Sequence, residues 1–314
     1  MVRNIAGVFE ERVLMNDKTA AVVVTYNRKE LLQKNIESLL AQTEKDVLDI
    51  LIIDNASTDG TKEAIEDYIS GGDIQYFNTG ANLGGAGGFS YGIKKATEMG
   101  YGTLWILDDD TLPTPTALEE LRKKDQEYGD NYGFLSSKVL WKDETICTMN
   151  IQKETKWKRM KEFNTKKPIQ YASFVSLFLR TDTVRKVGLP YKDFFIWADD
   201  WEYTRRISKT KPCYYVPSSV VNHWCGSNVG ADIITAPADR IERFNYMYRN
   251  DVVLYRQDGL EGKFYLWFRN NVHRIRIILK ADNKEKKLDI IRKGTKEGKH
   301  FFPIVDYPSK ESIL

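Results

Sequence analysis

Short apolar runs that alternate with helix-like stretches through the first third of the chain limit its fold more than any other feature. The runs are Ala20–Thr25, Asp49–Asp54, Ile74–Phe77 and Thr103–Leu107, and helical patterns fill about 29–41, 61–69 and 87–99. That alternation predicts parallel strands joined by helical crossovers. Ligands of such sheets gather at the carboxyl edge. Here the edge carries Thr25-Tyr26-Asn27-Arg28, Asp54-Asn55, Asn82 and Asp108-Asp109-Asp110, so four separate segments are directed at one crevice.

The three aspartates follow a run that reads as a buried strand. Side by side they repel one another unless a cation sits among them, and hard divalent ions favour such oxygen ligands. A cap for the helix expected near 113–128 would account for one of them. The segment from Asn82 to Phe89 holds four glycines and opens a helix, which brings backbone N–H groups close to a ligand and suits a nucleotide. A tight turn alone would account for two of the four. A dinucleotide fold is disfavoured, because its glycine-rich turn follows the first strand and this one follows the third. Asp54 can accept from a base N–H or a ribose hydroxyl, Arg28 can pair with a diphosphate, and Ser57, Thr58 and Asp59 read as caps of the next helix.

Further along, residues 150–168 read as a mobile basic loop, 171–180 as a strand, 198–209 as a helix and 238–256 as another. Trp197-Ala198-Asp199-Asp200-Trp201 sets two acids at a helix start, where capping explains one. The flanking Trp197 and Trp201 offer ring faces for an acceptor sugar, beside a carboxylate able to take a hydroxyl proton. His223 follows a second strand edge and is a candidate nitrogen ligand.

Length and charge set the frame. With 314 residues and 42 % apolar content the chain can bury one α/β core and an appendage. The net charge of +3 hides a basic tail, since residues 263–300 hold twelve Lys/Arg against four Asp/Glu. In that tail Phe264, Phe268, Val272, Ile275 and Leu279 recur at helical spacing, with Arg269, His273, Arg276 and Lys280 on a neighbouring face. Two readings follow: a helix lying on anionic lipid, or one packed on the catalytic part with a solvated basic face. Three cysteines without metal-ligand spacing suit a reducing cytosol. No signal peptide or membrane-length apolar run is read from the sequence. No nucleic-acid partner is expected, and a homo-oligomer is left open.

The ordered motifs Thr25-Tyr-Asn-Arg28, Asp54-Asn-Ala-Ser-Thr-Asp59, Asn82-Leu-Gly84-Gly85, Asp108-Asp-Asp110, Asp199-Asp200 and His223-Trp224 resemble those of the inverting family 2 glycosyltransferases of GT-A fold. The Asn-Leu-Gly-Gly-Ala-Gly-Gly-Phe run, with Asp-Asp-Asp and His-Trp, is similar to the galactofuranosyltransferases, which use UDP-galactofuranose. The resemblance implies an α/β GT-A fold, a Rossmann-like, mostly parallel sheet with flanking helices. It implies a catalytic domain over 1–256, with a donor half at about 18–136 and an acceptor half at about 137–256, and a basic helical extension over 257–314. It places Thr25, Tyr26, Asn27, Arg28, Asp54, Asn82, Gly84, Gly85, Asp108 and Asp109 on the UDP-sugar donor. Asp108, Asp110 and His223 would hold Mn2+ or Mg2+, Asp200 would be the catalytic base, and Trp197, Asp199 and Trp201 would meet the acceptor. Ala198 departs from the pattern, standing where Trp is usual, with Trp197 beside it. The expected enzyme transfers a hexofuranosyl unit to a glycan or lipid-linked oligosaccharide, in the cytoplasm or peripheral on the inner face of the membrane. Rivals are a rhamnosyltransferase using a dTDP sugar and a catalytically inactive nucleotide-sugar-binding protein. A sugar-1-phosphate nucleotidyltransferase fits the coarse fold, but its glycine-rich loop would follow the first strand.

Overall fold

The computed structural model describes residues 16–309, so most of the N-terminal stretch read for a signal peptide lies outside the described residues. The first part runs β1 (Thr19–Thr25), α1 (Lys29–Leu40), β2 (Leu48–Asp54), α2 (Thr61–Ala64), α3 (Glu66–Ser70), β3 (Gln75–Asn78), α4 (Gly84–Glu98) and β4 (Thr103–Asp108). The strands lie in the order β3-β2-β1-β4, all parallel. Every residue of β1 is buried, and alternate residues serve opposite faces. Val22 and Val24 share a core with Phe89 and Ile93 of α4, while Ala21 and Val23 share one with Leu32 and Ile36 of α1. Burial on both faces is why the run is continuously apolar instead of alternating.

The chain continues through β5 (Thr111–Pro113), α5 (Ala117–Tyr128), β6 (Leu135–Trp141), β7 (Lys153–Thr155), β8 (Lys158–Arg159), β9 (Lys167–Pro168), β10 (Leu177–Arg180), α6 (Thr181–Val187), α7 (Asp199–Ser208) and β11 (Tyr214–His223). Beyond β4 the sheet adds β10, β6, β11 and β5, with β10 antiparallel to both neighbours and β6 parallel to β11. Three helices close the described chain: α8 (Phe244–Arg256), α9 (Gly259–Lys280) and α10 (Lys284–His300). They share their own core of Phe244, Tyr248, Ile277, Ile290 and Ile291. The result is the mostly parallel α/β architecture that the alternation predicts.

Several elements differ from expectation for physical reasons. Strand β6 is not announced by hydropathy, because its buried Ser137 hydroxyl bonds those of Ser176 and Ser219 at 2.7 Å each, a polar chain inside the sheet. Only Leu177–Arg180 of the expected 171–180 strand finds ladder partners. Residues 150–168 form a pinned hairpin instead of a free loop: Lys156 is buried against Asp258 and Glu261, and Trp157 meets Tyr265 edge-on at 4.6 Å.

The tail departs most. It is two helices, and the basic stripe of α9 is solvated only toward its end, at Arg276 and Lys280. Arg269 turns inward to bond Asp251, and His273 Nδ1 lies 2.7 Å from the Tyr248 hydroxyl. The apolar stripe faces out instead, with Phe264 56 %, Trp267 61 % and Leu279 70 % exposed. A buried carboxylate on α8 draws the guanidinium in, since an unpaired buried charge costs several kcal/mol, and rotating the helix to satisfy it turns the hydrocarbon to water.

Candidate active site

A cavity of about 1200 Å³ opens at the carboxyl edge of the parallel strands. It is lined by Thr25, Tyr26, Arg28, Asn82, Gly84, Gly85, Asp108, Asp109, Asp110, Trp197, Asp199, Asp200, Trp201 and His223, which fall in five separate stretches of sequence. Asn27 and Asp54 are outside this lining. Asn27 Oδ1 accepts from Thr58 N at 2.7 Å, and Asp54 accepts from Ser57 N at 2.8 Å and the Tyr76 hydroxyl at 2.6 Å. Both tie neighbouring loops together beside the cavity.

The triple aspartate divides its labour. Asp109 accepts from the Thr25 hydroxyl at 2.8 Å, and Arg28 bridges Asp109 at 3.3 Å and Asp110 at 2.6 Å. Burial first, and the charge of Asp110 second, raise Asp108 to about 6 and Asp109 to about 7. Asp110 stays below the usual carboxylate range despite burial, held there by His223 and Arg28. Ligand atoms of Asp108, Asp110 and His223 lie within 4.8 Å of one another. His223 Nε2 lies 3.0 Å from the buried Asp110 Oδ1, while Arg28 takes the other oxygen of that carboxylate. Two carboxylates and an imidazole nitrogen converging within 4.8 Å are an oxygen and nitrogen donor set that suits a shared divalent cation, so the residues fit the expected metal. Asn150 fixes the ring from behind, its Oδ1 lying 2.8 Å from His223 Nδ1, which leaves Nε2 facing the acids.

The glycine run does two jobs. Gly84, at φ +71, lies so close to Phe195 that an added Cβ would meet its carbonyl oxygen at 2.1 Å, and Gly85 borders the cavity with open space around it. Gly88 instead lets α4 seat on the sheet, where a Cβ would meet Val24 at 2.6 Å and Asn55 at 2.8 Å. Gly84 and Gly85, the pair that the resemblance assigns to the donor, therefore border the cavity, while Gly88 serves helix packing.

Across the cavity Asp199 and Asp200 open α7, following the left-handed residues Phe195, Trp197 and Ala198. Burial pushes Asp199 up to about 7, and burial together with the Asp199 charge raises Asp200 well above the carboxylate range. Trp197 packs on Phe244, with ring centroids 4.9 Å apart, and Trp201 carries the Lys153 ammonium 3.6 Å above its ring. Sequence reasoning put Asn55 on the crevice edge without a role, and left Lys153, Asp251 and Arg269 out of the site. Asn55 is buried with an orphaned Oδ1. Lys153, Asp251 and Arg269 come from a hairpin and two helices that no motif marks. The signal available for Asn55 was its place directly after the β2 edge.

Residues 20–188 match the family model described as Glycosyl transferase family 2. The chain belongs to this family. This glycosyltransferase is 28 % identical over 259 residues to galactofuranosyltransferase GlfT1 of Mycolicibacterium smegmatis, spanning 76 % of this chain and 83 % of that one. It is likewise 28 % identical over 264 residues to GlfT1 of Mycobacterium tuberculosis, spanning 78 % and 84 %. Among solved structures it resembles S. aureus TarS, with a TM-score of 0.55 at 14 % identity over 90 % of this chain and 72 % of that one. It also resembles GalNAc-T7, solved with UDP, GalNAc and Mn2+, with a TM-score of 0.61 at 16 % identity over 90 % and 56 %. The transferase is therefore a hexosyltransferase of GT-A fold, as its motifs predicted.

Proposed function

We propose that this protein is a metal-dependent inverting transferase that moves galactofuranose from UDP-galactofuranose to a glycan or lipid-linked oligosaccharide, in the building of a cell-surface polysaccharide. The observation that carries the reading is the pairing, within one cavity, of the Asp108, Asp110 and His223 cluster with the raised carboxylates of Asp199 and Asp200. The relatives called galactofuranosyltransferases support the donor sugar, and TarS solved with UDP supports the nucleotide.

A divalent cation held by Asp108, Asp110 and His223 would neutralise the departing diphosphate. Thr25 and Arg28 hold Asp109 in place at the donor end. Asn55, with its buried unsatisfied oxygen, and Asn82 on the glycine loop border the nucleotide side. Asp200 takes the proton of an acceptor hydroxyl while that oxygen attacks the anomeric carbon opposite the leaving UDP. One bond forms as the other breaks, which inverts configuration. Its raised pKa makes the Asp200 carboxylate a stronger base toward that proton. The outward apolar face of α9 supports peripheral attachment to a membrane surface, where a lipid-linked acceptor would be met.

The test is purified protein offered a panel of UDP and dTDP sugars with UDP or dTDP release measured, with and without chelator. UDP-galactofuranose should give the fastest release, chelator should abolish it, and Mn2+ or Mg2+ should restore it. Faster turnover of a dTDP sugar would overturn the donor assignment, and undiminished activity of Asp110→Ala in metal-free buffer would overturn the metal.

A further inference from the structure

Three lysines are buried among the described residues, and two of them are satisfied. Lys156 bonds Asp258 and Glu261, and Lys287 bonds Asp282 and the Ile234 carbonyl. Lys153 is 6 % exposed and lines the cavity, but among the described residues its ammonium has no hydrogen-bond or ion-pair partner; the ring of Trp201, and more distantly that of Tyr171, lies against it. Burying an unpaired ammonium is expensive, and a ring face returns only part of that cost. Arg159 sits opposite Lys153 in the hairpin register, also lines the cavity and likewise lacks a carboxylate partner. The charges facing the amine come from every side: Arg159 on β8, Asp200 on α7, Asp251 on α8 and Arg269 on α9. Asp251 is spoken for by Arg269, and Asp200 is the proposed base.

We propose that Lys153, backed by Arg159, holds an anionic group of the acceptor, a phosphate, diphosphate or carboxylate next to the sugar whose hydroxyl is activated. The proposal rests on the transferase reading and adds the charge class of its acceptor. The donor's own phosphates belong at the other end, with Arg28 and the aspartate cluster. Lys153 instead stacks on the residue that follows the base, within reach of whatever that base deprotonates. Burial, with Arg269 and Arg159 adding to it against partial relief from Asp251 and Asp200, holds the amine down to about 7, so an arriving anion completes its protonation.

The experiment compares kcat/KM for a neutral octyl glycoside with the matching glycosyl phosphate, glycosyl diphosphate and glycuronide, in wild type, Lys153→Met, Lys153→Arg and Arg159→Gln. Wild type should prefer one anionic acceptor, whose identity separates phosphate from carboxylate. Lys153→Met should lose that preference by about 10-fold or more, the worth of a hydrogen bond to a charged group, and Lys153→Arg should keep part of it. An unchanged preference in Lys153→Met overturns the proposal, as does an equal loss of UDP affinity, which would give the amine to the donor. A wild-type readout guards against misfolded variants. An amine-acylating reagent should label Lys153, mapped by mass spectrometry, and the preferred acceptor should protect it; labelling that ignores every anionic acceptor overturns the proposal. If wild type neither binds UDP nor releases it from any UDP sugar, the transferase reading fails; if it does either and the Lys153 results are negative, this inference alone fails.

Discussion

Asp199 and Asp200 are consecutive at a helix start, so their side chains diverge and only one can meet the hydroxyl beside the donor. Asp200→Asn keeps the shape and removes the base, so transfer should fall about 10²-fold or more with saturating donor, while UDP titration shows little change. Asp199→Asn should lose less in turnover and more in acceptor affinity. Near-normal turnover of Asp200→Asn would move the base elsewhere. Lys153 makes a separate prediction about stability. Its amine titrates at about 7 in the folded protein and near 10.4 when unfolded, so between those values the native state binds fewer protons. Its contribution to stability therefore rises with pH across that window, and the cost of burying it charged is fully present below pH 7. Lys153→Met should melt above wild type near pH 6, and the gap should narrow as pH climbs toward 10. A gap that does not change with pH would show that the amine is not titrating there.

Just ahead of α7, the segment that delivers the two acids is held under strain. Phe195, Trp197 and Ala198 sit at φ +64, +68 and +65, conformations that cost about 1–3 kcal/mol each for residues other than glycine. Asn250 on α8 pins them, its Nδ2 donating to the carbonyls of Phe194, Ile196 and Trp197 at 3.0, 3.1 and 2.9 Å. Asn250→Ala should destabilise the protein by about 1–3 kcal/mol in urea unfolding and speed amide exchange over 195–198. Transfer should fall further than donor binding, because the acids lose their placement; wild-type stability would refute the pin. This dependence also marks where the sequence stops being readable. The strands of the donor half announce themselves because both faces are buried, and the Asp108 to Asp110 run announces itself because adjacent acids need a reason. Asn250, Lys153 and Arg269 belong to no site motif, and what puts them at or behind the cavity is packing between elements far apart in the chain, which no local pattern records. The α9 stripes were visible, but which faced inward was not, since that was decided by Asp251 on another helix.

At the scale of the molecule, α9 is both a wall of the cavity and a surface. Arg269 and Tyr265 line the active site, while Leu260, Phe264, Trp267, Phe268, Ile275, Ile278 and Leu279 form an exposed apolar band along the same helix. So much hydrocarbon in water, flanked by exposed Lys263 and Lys280, is the surface through which the proposed attachment to anionic lipid would be made. No helix among the described residues is long and apolar enough to cross a membrane. Deleting the tail would be a poor test, because α9 and α10 complete the core of α8 and Arg269 neutralises buried Asp251. Point changes on the outer face are cleaner. Seating a half-exposed aromatic or leucine is worth roughly 1 kcal/mol, so Trp267→Ser with Leu279→Ser should weaken vesicle binding by about 30-fold. Binding to phosphatidylserine-rich vesicles in a flotation assay should fall only partly when salt is raised to about 0.5 M, since ions screen the lysines and leave the apolar share intact. UDP release from the donor in detergent-free solution should survive the double change, because neither side chain lines the cavity. Loss of all binding at high salt would make the attraction purely electrostatic, and an undiminished affinity of the double variant would assign the band to something other than lipid.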